Sequence, residues 1–150
     1  YCYFAVDVKA RVTAPEYGGD GTKTDRCGQF KAPAASFPGH WAPMSLLFYR
    51  GGMLPGKYED GAFIAFHGSW NRAPEPQAGY RVVFQPLASG MAQGAFQTIA
   101  DGFVGVPAAQ VQPGIVKHRP VGLASGPDGA LYITDDVGGR IYRITFGAGR

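Results

Sequence analysis

The amino-acid sequence predicts an all-β fold on three observations. Residues 117–146, KHRPVGLASGPDGALYITDDVGGRIYRITF, alternate short apolar segments with turn-forming residues. Glycine and proline are abundant, with 23 and 12 residues, and 13% of residues are aromatic, which suits packed strands. Apolar residues nowhere keep a helical period for more than about two turns. A helical bundle is therefore excluded as the main architecture.

Residues 1–39 are predicted to be loop-rich, because they combine GGDG at 18–21 with several prolines. Cys2 and Cys27 flank this polar loop, and their spacing fits no zinc motif. If the protein is exported, a disulfide would close the loop, and two reduced thiols are the alternative. The first residues lack an initiating Met and a signal peptide, which indicates that the sequence starts inside a longer chain.

Four strands are predicted next, and they define one blade over residues 40–103. Pro55 and Gly56 mark a connector between the first two strands. Residues 62–66 are apolar on both strand parities, which predicts a strand covered on both faces. The predicted strands are 42–50, 61–70, 80–87 and 95–103, followed by a Pro/Gly-rich linker at 104–116.

Three further strands follow at 121–124, 130–134 and 141–146. Pro127-Asp128-Gly129 separates the first two, since Pro presets φ and Gly accepts a positive φ. Three antiparallel strands in so few residues form most of a β-propeller blade, which makes 117–146 the terminal blade. Seven strands are too few to close a propeller. An open sandwich is the alternative, and the sequence favours part of a larger ring.

Charge and hydropathy exclude two classes of partner. The formal net charge is only +3, and no basic run is interleaved with aromatic residues, so nucleic acid is not expected. No apolar run approaches the roughly 20 residues that span a bilayer, so no membrane span is expected.

Basic side chains stand where strands of the predicted blades begin or end. In HGSWNR, His67 lies at the end of a strand and Arg72 just after it, whereas His40 and the run 117–119 precede strands. Strand entrances line the top of a propeller channel, so these side chains are expected to converge on an anion-binding pocket. The plainer interpretations are a core histidine with satisfied hydrogen bonds and an arginine that caps the blade rim.

Asp135 and Asp136 follow a predicted strand and have two interpretations. They either fix the turn through bonds to backbone amides or bind calcium, and the turn is favoured. No residue of this chain is therefore assigned as a metal ligand.

Six segments of the sequence carry a family resemblance. They are YCY (1–3), HWAPMSLLFY (40–49), GAFIAFHGSWNR (61–72), GYRVVFQPL (79–87), DGF (101–103) and HRPVGLASGPDGALYITDDVGGRIYRITF (118–146). PDGALY alone is common in propellers, whereas HGSWNR combined with HRPVGLA is specific. On these residues the chain resembles the C-terminal part of the sorbosone/glucose dehydrogenase family, in its sorbosone and pyranose dehydrogenase branch. The resemblance implies a six-bladed propeller that binds pyrroloquinoline quinone, a planar tricarboxylate, together with calcium.

The resemblance also suggests which residues contact the quinone. Arg119, and less directly Lys117, match an Arg-x-Arg pair that binds it in soluble glucose dehydrogenases. His67 stands where those relatives carry a Lys, so it is either a ligand of the quinone or only part of the pocket wall. His40 and Pro43 match a cofactor-contacting loop, and Arg72 joins the cationic set by its position. The family's catalytic histidine and calcium loop match no residues here, so both are expected upstream. No catalytic residue is assigned, and the isolated chain is not expected to oxidise sugar.

The resemblance implies oxidation of an aldose or sorbosone-type sugar by hydride transfer to the quinone. Its partners would be the sugar and an electron acceptor such as a cytochrome or quinone, in the periplasm or outside the cell. The alternative is a propeller-derived module that binds carbohydrate or protein without chemistry.

Overall fold

The fold consists of β-strands joined by turns and short 3-10 segments. It is seen in a computed structural model that describes residues 2–5, 8–31 and 33–147. Within these residues no α-helix is found, and no helix is long and apolar enough to cross a membrane. The chain divides into two compact units, residues 1–33 and 34–150.

The first unit contains an antiparallel hairpin. Its strands, β1 (Cys2–Ala5) and β2 (Ala10–Thr13), lie in the segment predicted to be loop-rich. A disulfide joins Cys2 and Cys27, with 2.02 Å between the two Sγ atoms. The hairpin escaped prediction because four-residue strands carry too little alternation to stand out from their polar surroundings. Two 3-10 turns complete the unit, Pro15–Tyr17 and Asp25–Gln29.

The second unit begins with a sheet that we call the first sheet. Its strands run antiparallel in the order β3-β4-β5, and β6 and β7 both pair with β5. A two-residue strand such as β6 leaves no sequence pattern, which is why it was not predicted. The strands are β3 (Pro43–Leu47), β4 (Gly61–Phe66), β5 (Arg81–Ala88), β6 (Met91–Ala92) and β7 (Gln97–Ala100), and a 3-10 turn, Gly56–Tyr58, precedes β4.

A three-stranded antiparallel sheet, the terminal sheet, ends the unit. Its order is β10-β9-β8, so consecutive strands are neighbours. Every strand predicted after residue 40 is present, with ends shifted by a few residues. The strands are β8 (Pro120–Ser125), β9 (Leu131–Asp135) and β10 (Arg140–Ile144), and the preceding linker holds two 3-10 turns, Ala108–Gln110 and Pro113–Ile115.

The core of the second unit lies between these two sheets. Phe63 and Ala65 of β4 pack in one cluster with Leu131 and Ile133 of β9. The opposite face of β4 packs in a second cluster with Trp41. All six residues of β4 are buried, so the predicted coverage of both its faces is confirmed.

We call the packed interface between the first sheet and the terminal sheet the seam. The strand register decides which residues meet at each end of this seam. Pro43 pairs with Phe66 in the first sheet, and Pro120 pairs with Asp135 in the terminal sheet. Residues that precede β3 or β8 and those that follow β4 or β9 therefore lie at one end, which we call the histidine end. Tyr49, which follows β3, donates its hydroxyl hydrogen to the Gly129 carbonyl at the other end, the tyrosine end.

Candidate functional site

A cavity of about 640 Å³ opens at the histidine end. This volume lies within the range of small-molecule sites in proteins. Residues before β3, after β4 and before β8 contribute to its wall, so it depends on both sheets. The lining residues are His40, Ala42, Pro43, His67, Gly68, Trp70, Asn71 and Arg119.

Four of the residues predicted to bind the quinone line this cavity: His40, Pro43, His67 and Arg119. Arg72 lies in the following loop, where its Nη1 donates to the Pro76 carbonyl at 2.6 Å.

Lys117 is exposed, and its side-chain carbons pack beside Gly105. Among the described residues, neither Arg72 nor Lys117 belongs to the cavity wall. Their cofactor contacts remain predictions.

Unusual backbone geometry shapes the wall on the side of the first sheet. His40 and Ala42 have positive φ angles of 66° and 54°, a region that L-residues with side chains seldom occupy. The backbone N–H of His67 donates to the Ala42 carbonyl at 2.9 Å, which ties the two loops together. Gly68 has φ +93°, and a Cβ there would lie 2.1 Å from the Tyr80 ring. Left-handed residues of this kind gather at functional sites.

Ser69 fixes the turn that follows His67. Its N–H donates to the Ala78 carbonyl, and its Oγ accepts from the Ala78 N–H, both at 2.8 Å. The Tyr80 hydroxyl donates to the Ser69 carbonyl at 2.6 Å. Ser69 is fully buried, whereas Trp70 beside it is 70% exposed. The turn therefore holds an aromatic face at the mouth of the cavity.

Arg119 is the cation of the cavity wall. Its guanidinium carbon lies 5.4 Å from the ring centre of Trp70 and 5.2 Å from that of Tyr80. Its Nη1 lies 3.5 Å from His67 Nδ1, and the residue as a whole is only 3% exposed. A guanidinium packed against aromatic rings is partly shielded from water. There it binds a carboxylate ligand more strongly than it would in bulk water.

Asp135 anchors the entrance to β8. Its Oδ1 accepts from the backbone N–H of Arg119 at 2.9 Å and of Gly138 at 3.0 Å, and its Oδ2 lies 2.6 Å from His118 Nδ1. Burial by itself raises the pKa of Asp135, but the hydrogen bonds from Gly138, Arg119 and His118 outweigh burial, so the pKa lies below its usual value. The ionised carboxylate thus fixes the backbone from which Arg119 projects.

Asp136 contacts a second histidine at this end, His67. Its two carboxylate oxygens lie 3.1 and 3.2 Å from His67 Nε2. Each of the successive carboxylates thus pairs with one histidine, Asp135 with His118 and Asp136 with His67. In residues 2–5, 8–31 and 33–147 no group of three or more Asp, Glu, His or Cys side chains is placed to hold a metal ion.

Two features of this site were not predicted from the sequence. The sequence pattern places Trp70 in the turn but does not show that it contacts Arg119. For Asp135 and Asp136 the pattern indicates a role in the turn or in metal binding, whereas the structure pairs them with two histidines. The available signal was the position of these carboxylates, since Asp135 ends β9 and Asp136 follows it. In the sheet, β9 is the neighbour of β8, the strand that Arg119 precedes. Only the strand register shows that they meet His118 and His67.

Comparison with known proteins identifies the family. A family model described as TrAA12-like matches residues 8–146. The chain belongs to the TrAA12-like family. An uncharacterised protein of Borreliella burgdorferi is 34% identical over 73% of the chain and 27% of the relative. A pyrroloquinoline quinone-dependent pyranose dehydrogenase of Coprinopsis cinerea is 27% identical over 95% of the chain and 22% of the relative. The chain thus spans about a quarter of the length of these two relatives.

Solved structures share the fold of this chain. The holo quinone-binding domain of the Coprinopsis cinerea pyranose dehydrogenase matches with a TM-score of 0.54 and 28% identity, over 71% of the chain and 27% of that domain. A Trichoderma reesei protein of carbohydrate-active enzyme family AA12, in its calcium structure, matches with a TM-score of 0.67 and 23% identity, over 87% of the chain and 31% of that protein. The second likeness shows the fold alone.

These findings decide several expectations. The all-β fold, an incomplete part of a propeller, is confirmed. The resemblance to pyrroloquinoline quinone-dependent sugar dehydrogenases is confirmed at that level, whereas the sorbosone/glucose branch remains a prediction. The blade boundaries 40–103 and 117–146 also remain predictions.

Proposed function

We propose that this chain supplies part of the quinone-binding site of a pyrroloquinoline quinone-dependent sugar oxidoreductase. The observation that carries the proposal is the buried Arg119 guanidinium, which lies in the cavity wall between Trp70 and Tyr80. Family membership supplies the context, because a relative that spans 95% of the chain is named as a dehydrogenase that depends on this quinone.

The residues present fit a planar anion with several carboxylates. Arg119 offers a charged, forked set of donors, which binds carboxylates in pairs. Trp70 offers an exposed aromatic face on the same wall, suited to stacking on a flat ring system. His40 and His67 add polar ring nitrogens. A cation, an aromatic face and ring nitrogens in one cavity match the chemistry of a tricarboxylate quinone.

The chain's own residues would bind and orient the cofactor. When bound, the quinone supplies the acceptor for the hydride that leaves the sugar carbon. Arg119 would hold a carboxylate, Trp70 would cover a ring face, and the left-handed His40–Ala42 loop would limit the approach from one side. Asp135 would fix the Arg119 backbone while the ligand is exchanged.

The wider activity rests on the same relatives. We propose a sugar of the aldose or sorbosone class as substrate, with a cytochrome or a quinone as the final electron acceptor. A catalytic histidine and a calcium ion would come from other parts of the protein, and the protein would act in the periplasm or outside the cell.

The test is an equilibrium titration of the full-length protein with pyrroloquinoline quinone, followed by absorbance. Arg119→Ala is expected to weaken binding by at least about tenfold, because a hydrogen bond to a charged group contributes roughly 1.5–3 kcal/mol. Dye reduction with a panel of aldoses then tests the oxidoreductase activity.

Arg143→Ala is the matched control for charge. Arg143 is a cation of the terminal sheet that pairs with Asp128, away from the cavity. We expect this variant to bind the quinone like the unaltered protein. Equal affinities for Arg119→Ala and the unaltered protein would refute the proposed site, and binding without dye reduction would favour a non-catalytic module.

A further inference from the structure

We propose that Asp136 is a positioning residue for this site and acts on its cavity through His67. The proposal rests on the proposed function only for the identity of the ligand. In this role Asp136 holds the His67 imidazole in one tautomer and one orientation, with Nδ1 turned toward Arg119.

The contacts of His67 define which ring nitrogen carries hydrogen. Both oxygens of Asp136 lie within 3.2 Å of Nε2, and an ionised carboxylate only accepts hydrogen bonds. Nη1 of Arg119 lies 3.5 Å from Nδ1, and a guanidinium only donates. A neutral imidazole satisfies both partners in one way, with the hydrogen on Nε2 and the lone pair on Nδ1.

The same arrangement places the negative charge of Asp136 behind the ring. The imidazole of His67 stands between the Asp136 carboxylate and Arg119, since the two partners contact opposite nitrogens. The ring therefore separates the carboxylate charge from the Arg119 guanidinium. A direct ion pair between Asp136 and Arg119 would instead compete with a bound carboxylate.

Exposure separates this role from a purely structural one. The Asp136 side chain is 55% exposed and that of His67 is 23% exposed. Removing a half-exposed carboxylate changes folding stability little. Its effect should therefore appear at the ring that it contacts, which lines the cavity. In metal sites, a carboxylate that accepts a hydrogen bond from the second ring nitrogen of a metal-binding histidine orients the ring in this way.

The test combines nitrogen NMR of the histidines with a quinone titration, both on the full-length protein. We expect ¹⁵N shifts of His67 to report hydrogen on Nε2 in the unaltered protein and in Asp136→Asn, since an amide oxygen still accepts. Asp136→Ala should give a mixture of tautomers and bind pyrroloquinoline quinone about threefold to tenfold more weakly, the range for one hydrogen bond.

Asp101→Ala is the control for loss of an exposed carboxylate, since Asp101 follows β7 and lies outside the cavity wall. It should leave both readouts unchanged. An Asp136→Ala protein that keeps the single Nε2–H tautomer overturns the inference, even if the unaltered protein binds the quinone. If the tautomer changes as expected while no variant binds the quinone, the positioning role is supported and the proposed function fails.

Discussion

The two ends of the seam between the first and terminal sheets are built from different chemistry. At the tyrosine end, the Tyr49 hydroxyl accepts from the N–H groups of Met53 and Leu54, both at 3.0 Å, and donates to the Gly129 carbonyl. These groups are neutral, and Tyr49 is fully buried. At the histidine end, the carboxylates of Asp135 and Asp136 pair with His118 and His67, and Arg119 belongs to the cavity wall.

This contrast separates a structural contact at the tyrosine end from the binding site that we propose at the histidine end. Buried hydrogen bonds between neutral groups stabilise the packing of the two sheets, and they do not contribute to ligand binding. Buried charges add little to stability on average, so their concentration at one end needs another explanation. The carboxylate recognition that we propose would supply it, because a cation that the protein already holds in place loses little conformational freedom when a ligand binds.

Asp135→Ala is expected to have the largest effect on stability. This variant tests whether a charged residue at the histidine end also stabilises the fold. The change removes a buried acceptor of three backbone N–H groups and of His118. We expect the free energy of unfolding to fall by about 3 kcal/mol, measured by urea denaturation of the full-length protein. The neighbouring change Asp136→Ala is the control and should lower it by less than about 1 kcal/mol. Equal losses would erase the distinction between the two carboxylates.

Tyr49→Phe should rank second and tests the neutral end. Without the hydroxyl, the buried N–H of Leu54, the part-buried N–H of Met53 and the Gly129 carbonyl lose their partner, at a cost of about 2 kcal/mol in the free energy of unfolding. The quinone affinity should not change, because Tyr49 lies at the far end of the seam. Tyr58→Phe is the control, since Tyr58 packs on Phe84 through its ring. A Tyr49→Phe protein with weakened quinone binding would contradict the separation of the two ends.

The smallest expected effect is a change, at acid pH, in the stability difference between the unaltered protein and Asp135→Ala. The pKa of Asp135 lies below its usual value in the folded protein, so its contribution is fully present above the unfolded pKa of about 3.9 and is lost as the pH falls through the folded value. The stability gap between the unaltered protein and Asp135→Ala should therefore narrow as the pH falls below about 4. Urea midpoints measured from pH 6 to pH 3 check this, and a constant gap would show that Asp135 acts without its charge.

Much of this fold could be predicted from short patterns along the chain. Residues 62–66 are apolar on both parities, and that alone indicated a strand covered on both faces, which the burial of β4 confirms. The Pro127-Asp128-Gly129 turn separated β8 from β9 for an equally local reason. The first hairpin could not be predicted in this way, because its two short strands carry no pattern strong enough to mark them.

The candidate site depended on both the local sequence and the tertiary structure. The sequence by itself determined the residue types, a histidine after β4 and an arginine before β8, because strand ends are read from local periodicity and turn chemistry. Tertiary structure decided which of these side chains share a cavity, since antiparallel register and sheet packing bring Asp136, His67 and Arg119 together across 52 and 69 positions of chain. Such distances are set by how whole sheets pack, and no local pattern of residues records them.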